Sequence, residues 1–192
     1  MKNFSPYTDL ALEVAESLTN NTDNDLEGLK IFTEDCEMKK TSVTSVEITS
    51  TIGEEKMGRP MGTYITLESV FIKENNPEAH EKLIAILSKH LNQLCPLNNE
   101  KPILVVGLGN SQVTPDSLGP KTVDKILVTR HLKEILPDSI SETVRSVAAL
   151  SPGVMGVTGI ETLEVIKGIV ERIQPQLVIA IDALAARKVS RM

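Results

Sequence analysis

Three short apolar runs constrain this chain more than any other feature: Ile103-Leu104-Val105-Val106, the stretch from Val144 to Leu150, and Leu177-Val178-Ile179-Ala180-Ile181. Each is too short for a buried helix and is bounded by turn residues, so each reads as a strand covered on both faces, the pattern of a parallel sheet. Between them lie segments with helical spacing. Asp116 to Leu136 carries Pro120 near its start and Val123, Ile126, Leu127 and Ile135 on one side, and Pro137-Asp138 ends it. Leu163, Ile166, Val170 and Ile173 mark a second helix, stopped by Pro175. The unit is β-α-β-α-β. Right-handed crossovers bring the loops after all three strands to one edge of the sheet, where open α/β proteins place their ligands. Those loops are Gly107 to Asp116, Ser151 to Gly159 and Asp182 to Arg187.

The N-terminal part is patterned differently. Val46, Ile48, Ser50 and Ile52, then Ile65, Leu67, Ser69 and Phe71, alternate as two antiparallel strands, joined by a long loop containing Gly53, Gly58 and Gly62. Asn76-Pro77-Glu78 reads as the start of a helix whose apolar side holds Ala79, Leu83, Ile86, Leu87 and Leu94. The polar run Thr19 to Asp25 reads as a surface loop. The fold class expected is α/β, an open mixed sheet with parallel central strands flanked by helices. Either the N-terminal strands cover the edge left by Ile181, or further chain does.

Composition excludes several function classes. The chain has 192 residues, 20 Lys and Arg against 26 Asp and Glu, and a formal charge of −6, which removes the general attraction to phosphate backbones on which nucleic-acid binding rests. Aromatic residues make up 3%, with no Trp, so stacking platforms for bases are not expected. No run approaches the roughly 18 apolar residues of a spanning helix, and Met1 to Pro6 is not a signal peptide, so a cytoplasmic protein is expected. Cys36 and Cys95 fall outside any C-x-x-C spacing and read as small buried hydrophobes.

Motifs at the expected sheet edge are weighed against their simplest readings. Gly107-Leu108-Gly109 follows a buried strand, but the third glycine of a dinucleotide fingerprint would fall on Gln112, and no Gly-Lys-Ser/Thr follows for a phosphate loop. Ser111 sits in a partial nucleophile elbow that puts Val113 where the second glycine belongs. His80, His90 and His131 lie on expected helices outside any H-E-x-x-H, and only His131 is placed to reach the loop edge. The more informative pair is Asp116 and Asp182, one in the loop after the first parallel strand and one ending the third. Two carboxylates converging at one edge cannot both ionise cheaply, so such a pair supplies a general acid and a water-activating base. The simpler alternative is that both cap local turns.

Longer motifs, taken together, carry a resemblance. Val106-Gly107-Leu108-Gly109-Asn110, Val113 to Pro120, Leu127 to Leu132, Pro152 to Thr162 and Ala180 to Arg187 resemble, in order, the spore germination protease family. The resemblance implies an atypical endopeptidase that starts degradation of the small acid-soluble proteins of spores, with a hydrogenase-maturation-protease-like (phosphorylase/hydrolase-like) fold. It implies two catalytic aspartates matching Asp116 and Asp182; no cofactor and no metal site are assigned from the sequence. The pepsin-type Asp-Thr/Ser-Gly signature is absent.

Thr8-Asp9-Leu10-Ala11-Leu12-Glu13 resembles the site at which the family cuts its substrates and processes its own zymogen, departing from it at Leu12. The implied processing bond is Asp9–Leu10, which makes residues 1–9 a candidate propeptide and 10–192 a single α/β peptidase domain, truncated at its C-terminus relative to the family. The expected partners are small acid-soluble spore proteins and the chain itself as substrates, with no direct nucleic acid and no membrane. The resemblance also implies a homo-oligomer at full length, in the cytoplasm of the spore core. Two other readings are a metal-dependent peptidase of the hydrogenase-maturation type, with Asp116 and Asp182 as ligands, and a non-catalytic peptide-binding fragment.

Overall fold

A computed structural model describes residues 8–19, 27–36, 38–95, 101–136, 140–141 and 144–186. The polar run from Asn20 to Asp25, the first seven residues and Arg187 lie outside the described residues. The chain forms two compact units, one made of Met1–Leu94 with Leu184–Met192 and the other of Cys95–Ala183.

The first unit is built on an antiparallel sheet of β1 (Leu29–Asp35), β2 (Thr41–Ile48) and β3 (Gly62–Ser69), in that order. β2 is central, and Val43, Val46 and Ile48 are buried in it. Its pairing with β3 sets Val46 opposite Tyr64 and Val43 opposite Leu67. Helix α1 (Ala11–Thr19) buries Ala11 and Ala15 in a core shared with Leu29, Val46, Ile48 and Met57. The expected loop between the two strands holds a helix, α2 (Thr51–Met57), started by Ser50, whose hydroxyl accepts from the Gly53 amide, and closed by Gly58 in the left-handed region. Position 53 of this helix is a glycine for a packing reason: a Cβ there would lie 2.4 Å from the Gly28 carbonyl oxygen. Helix α3 (Pro77–Leu94) starts where the sequence places it, with the Asn76 side-chain oxygen accepting from the Ala79 amide. Of its expected apolar side, Ala79 and Leu83 are buried while Leu87 and Leu94 are exposed.

The second unit holds a parallel sheet in the order β5-β4-β6, formed by β4 (Ile103–Gly107), β5 (Val147–Leu150) and β6 (Leu177–Ile181). All five residues of β4 are buried, as the unbroken apolar run requires, whereas β5 is half-buried throughout and β6 alternates, with Val178 38% exposed, so the expectation of strands covered on both faces holds for β4 and not for β5 or β6. Ile103 is opposite Val147 on one side and Leu177 on the other. The strands of the mixed sheet therefore divide: the antiparallel strands form a sheet of their own instead of adding to the parallel one.

The crossover after β4 is not one helix. It comprises α4 (Leu118–Val123) and α5 (Arg130–Ile135), separated where Thr129 turns aside to pair with β5. The Thr129 amide donates to the Val147 carbonyl, and its hydroxyl accepts from the Val147 amide while donating to the Arg145 carbonyl. After β5 come α6 (Met155–Thr158) and α7 (Thr162–Ile173), the latter ended by Gln174 in the left-handed region just before Pro175. Cys36 and Cys95 are free thiols, each partly exposed, which corrects their reading as buried hydrophobes.

Leu104 is 1% exposed at the centre of the parallel sheet. Leu104→Ala is expected to cost about 3 kcal/mol, the usual loss for a truncated core leucine. Urea unfolding followed by circular dichroism measures it.

Candidate functional site

The site is built where β4 and β6 end together. Gly107 pairs with Ile181, and the Leu108 amide donates to the Ile181 carbonyl at 2.8 Å, carrying the ladder one residue further. Asp182 therefore leaves the sheet next to the chain that turns away after Gly107. That turn folds back on itself. Gly109 has φ of +110°, and a Cβ on it would lie 2.1 Å from the Asp116 carbonyl oxygen, so only glycine lets the chain come this close.

The loop between is fixed by short-range hydrogen bonds. The Asn110 side-chain oxygen accepts from the Gln112 amide, and the Val113 amide donates to the Asn110 carbonyl. A single 3₁₀ turn, Thr114–Asp116, follows with Pro115 inside it. The turn delivers the Asp116 carboxylate to the Asn110 amide, whose N–H it accepts at 2.8 Å. Ser117 is buried and donates to the Thr114 carbonyl.

Behind the loop, helix and strands come close at glycines. A Cβ on Gly107 would lie 2.3 Å from the Gly119 carbonyl oxygen, and one on Gly119 would lie 2.4 Å from the Ile181 carbonyl oxygen. The first turn of α4 thus rests directly on the ends of β4 and β6. This accounts for Gly107-Leu108-Gly109 without a dinucleotide: its first glycine admits a helix and its second admits the returning loop.

Asp116 and Asp182 accordingly stand on the same edge of the same sheet, after neighbouring strands. Asp116 is half-buried, while Asp182 is exposed and accepts from the Ala183 amide at 2.7 Å. The loop after β5 reaches this edge as well, presenting Met155, Val157 and Ile160 to solvent, with the Gly153 carbonyl tied to the Thr162 hydroxyl. Asp9 and Leu10 belong to the first unit, at the entry to α1.

The histidines do not join the edge. His80 bonds the Phe71 carbonyl, and buried His90 bonds Gln93. His131 follows Thr129, which is tied to the first residue of β5, so it lies toward the opposite end of the sheet from Asp116 and Asp182, and the expectation that it reaches the loops does not hold. Among the described residues no group of three or more His, Cys, Asp or Glu is placed to hold a metal ion. What the sequence reading missed is the Asn110 amide as the partner of Asp116. The Gly-Asn step was the available signal, since it permits the tight return that aims this amide.

A family model described as Germination protease matches residues 8–192. The chain belongs to the germination protease family. It is 45% identical over 185 residues to the germination protease of Caldanaerobacter subterraneus subsp. tengcongensis, covering 96% of this chain and 56% of that protein. It is 43% identical over 191 residues to that of Clostridium acetobutylicum, covering 98% and 58%. With the germination protease of Priestia megaterium it shares 42% identity over 198 residues, covering 100% and 53%. The chain thus spans little more than half the length of these curated relatives. The matched region includes all the elements that hold Asp116 and Asp182, and it begins at Thr8, the first residue of the processing-like motif.

Proposed function

We propose that this chain carries the catalytic aspartate pair of a self-processing endopeptidase acting on small acid-soluble spore proteins, with the hydrogenase-maturation-protease-like version of the α/β fold. The observation that carries the reading is the emergence of Asp116 and Asp182 after adjacent parallel strands in a chain of the germination protease family. One carboxylate, as base, takes a proton from water as it attacks the scissile carbonyl. The other, in its acid form, hydrogen-bonds that carbonyl oxygen and later protonates the departing amine.

The Asn110 amide orients the Asp116 carboxylate. Processing takes place at Asp9–Leu10, removing residues 1–9. The enzyme works as a homo-oligomer in the spore core, without a cofactor.

The test is mass spectrometry of a synthetic peptide spanning Pro6 to Glu16, incubated with this protein, with Asp116→Asn and with chelator. Cleavage between Asp9 and Leu10 that survives chelation and is lost in the variant is expected. Cleavage abolished by chelator favours the metal-dependent alternative. An intact peptide overturns the reading for this chain.

A further inference from the structure

The processing-like motif is not displayed as a strand; it is folded away. Thr8 donates its hydroxyl to the Glu13 carboxylate at 2.6 Å and accepts the Leu10 amide on the same oxygen at 3.2 Å, closing a turn across the Asp9–Leu10 bond. Asp9 is held from the other side by main chain. Its amide donates to the Ala185 carbonyl at 2.8 Å, and its carboxylate accepts the Ala185 amide at 2.7 Å. Immediately after the bond, α1 begins, with Ala11 at 4%, Leu12 at 7% and Glu13 at 0% exposure.

One long-range side chain closes the arrangement. Arg59, in the turn after α2, donates from Nη2 to the Thr8 carbonyl at 2.8 Å, and its Nε is buried with no hydrogen-bond partner among the described residues. The guanidinium is spent on the main chain next to the bond.

We propose that Arg59 is a clamp that withholds the Asp9–Leu10 bond, so that cleavage in the folded chain requires the first turn of α1 and the Asp9–Ala185 pairing to open first. This rests on the reading of Asp9–Leu10 as the processing bond. A peptidase that takes its substrate as an extended strand must pair with main-chain groups on both sides of the cut. Here the Asp9 amide is occupied by Ala185, the Leu10 amide by Thr8, and the three following side chains are in the core. The same sequence in an unfolded substrate carries none of these restraints, so the clamp separates substrate cleavage from self-cleavage without changing the catalytic groups.

The test uses the full chain in an Asp116→Asn background and an external endopeptidase that cuts after Glu and Asp. The readout is the rate of cutting at Asp9–Leu10 relative to cutting after Glu74, an exposed loop residue in the same unit. Cutting of a transiently opened segment follows the population of the open form. Arg59→Ala is expected to raise the relative rate about tenfold, the worth of one hydrogen bond from a charged donor. Arg59→Lys, which can still donate to the Thr8 carbonyl, is expected to stay near the parent rate. Equal relative rates in all three proteins overturn the clamp.

A second arm separates the clamp from the processing reading. With Asp116 intact, Arg59→Ala is expected to speed self-cleavage and leave cleavage of the Pro6–Glu16 peptide unchanged. If the peptide is cut but Arg59→Ala alters neither self-cleavage nor the external rate, the clamp is wrong and processing stands. If external cutting accelerates while neither the peptide nor the chain is ever self-cleaved, the clamp stands and the processing reading is wrong.

Discussion

Asp116→Asn is expected to lower cleavage of the Pro6–Glu16 peptide by about 10²–10⁴-fold, the contribution of a positioned acid or base, with little change in stability. The two halves of that expectation come from one hydrogen bond. The Asp116 carboxylate accepts the Asn110 amide at 2.8 Å, and an asparagine in its place still offers an oxygen to that N–H. The loop keeps its shape while the group loses its ability to exchange a proton. Asp116→Ala is different, because it strips the acceptor from a half-buried amide and costs about 1–3 kcal/mol besides. Peptide turnover and thermal unfolding measured on both variants separate the roles. If Asp116→Asn unfolds like Asp116→Ala and cleaves like the parent, Asp116 is a cap of its turn and nothing more.

Gly119→Ala is expected to be among the most destabilising single changes in the second unit, costing about 3 kcal/mol or more, the upper range for overpacking. The new methyl would lie 2.3 Å from the Leu108 carbonyl oxygen and 2.4 Å from that of Ile181. Both are backbone atoms in or next to the ladder between β4 and β6, so neither can rotate out of the way. The site would suffer with the fold, because the carbonyl of Ile181 immediately precedes Asp182. Denaturant unfolding checks the first effect, and peptide turnover of whatever fraction stays folded checks the second. A variant as stable as the parent would mean that α4 does not rest on the strand ends as described.

The legible part of this protein is the part whose residues have one structural use. The run Ile103 to Val106 has no polar face to offer, so it marks β4, and the apolar runs ending at Leu150 and Ile181 mark β5 and β6, although both of these are only partly buried. Asn76-Pro77 fixes the start of α3 for an equally local reason. What escaped depends on distant partners. Gly53 reads as a loop residue, yet it lies inside α2, where the Gly28 carbonyl occupies the space a side chain would need. The segment from Asp116 to Leu136 has a helical apolar spacing throughout, but Thr129 is drawn out of it by Val147 of β5 and by Arg145 just before that strand. Strand β1 was missed because Phe32, Thr33 and Glu34 are exposed, leaving little apolar alternation to read.

For the site, the loop positions of the two aspartates were readable from the order of strands and turns. Their arrival after neighbouring strands was not, because it depends on β6 lying beside β4, with β5 on the other side. The binding partner of Asp116 was equally hidden, since a backbone amide has no letter in a sequence.

The contact of Gly107 with Gly119 has a consequence for how this surface can change over time. Most tight contacts in proteins can drift, because a residue that grows on one side is accommodated by one that shrinks on the other. Here both sides already carry a single hydrogen, so no second-site suppressor of that kind exists. Each glycine is constrained by itself, and the pair leaves no correlated signature by which its closeness could be inferred from sequence variation.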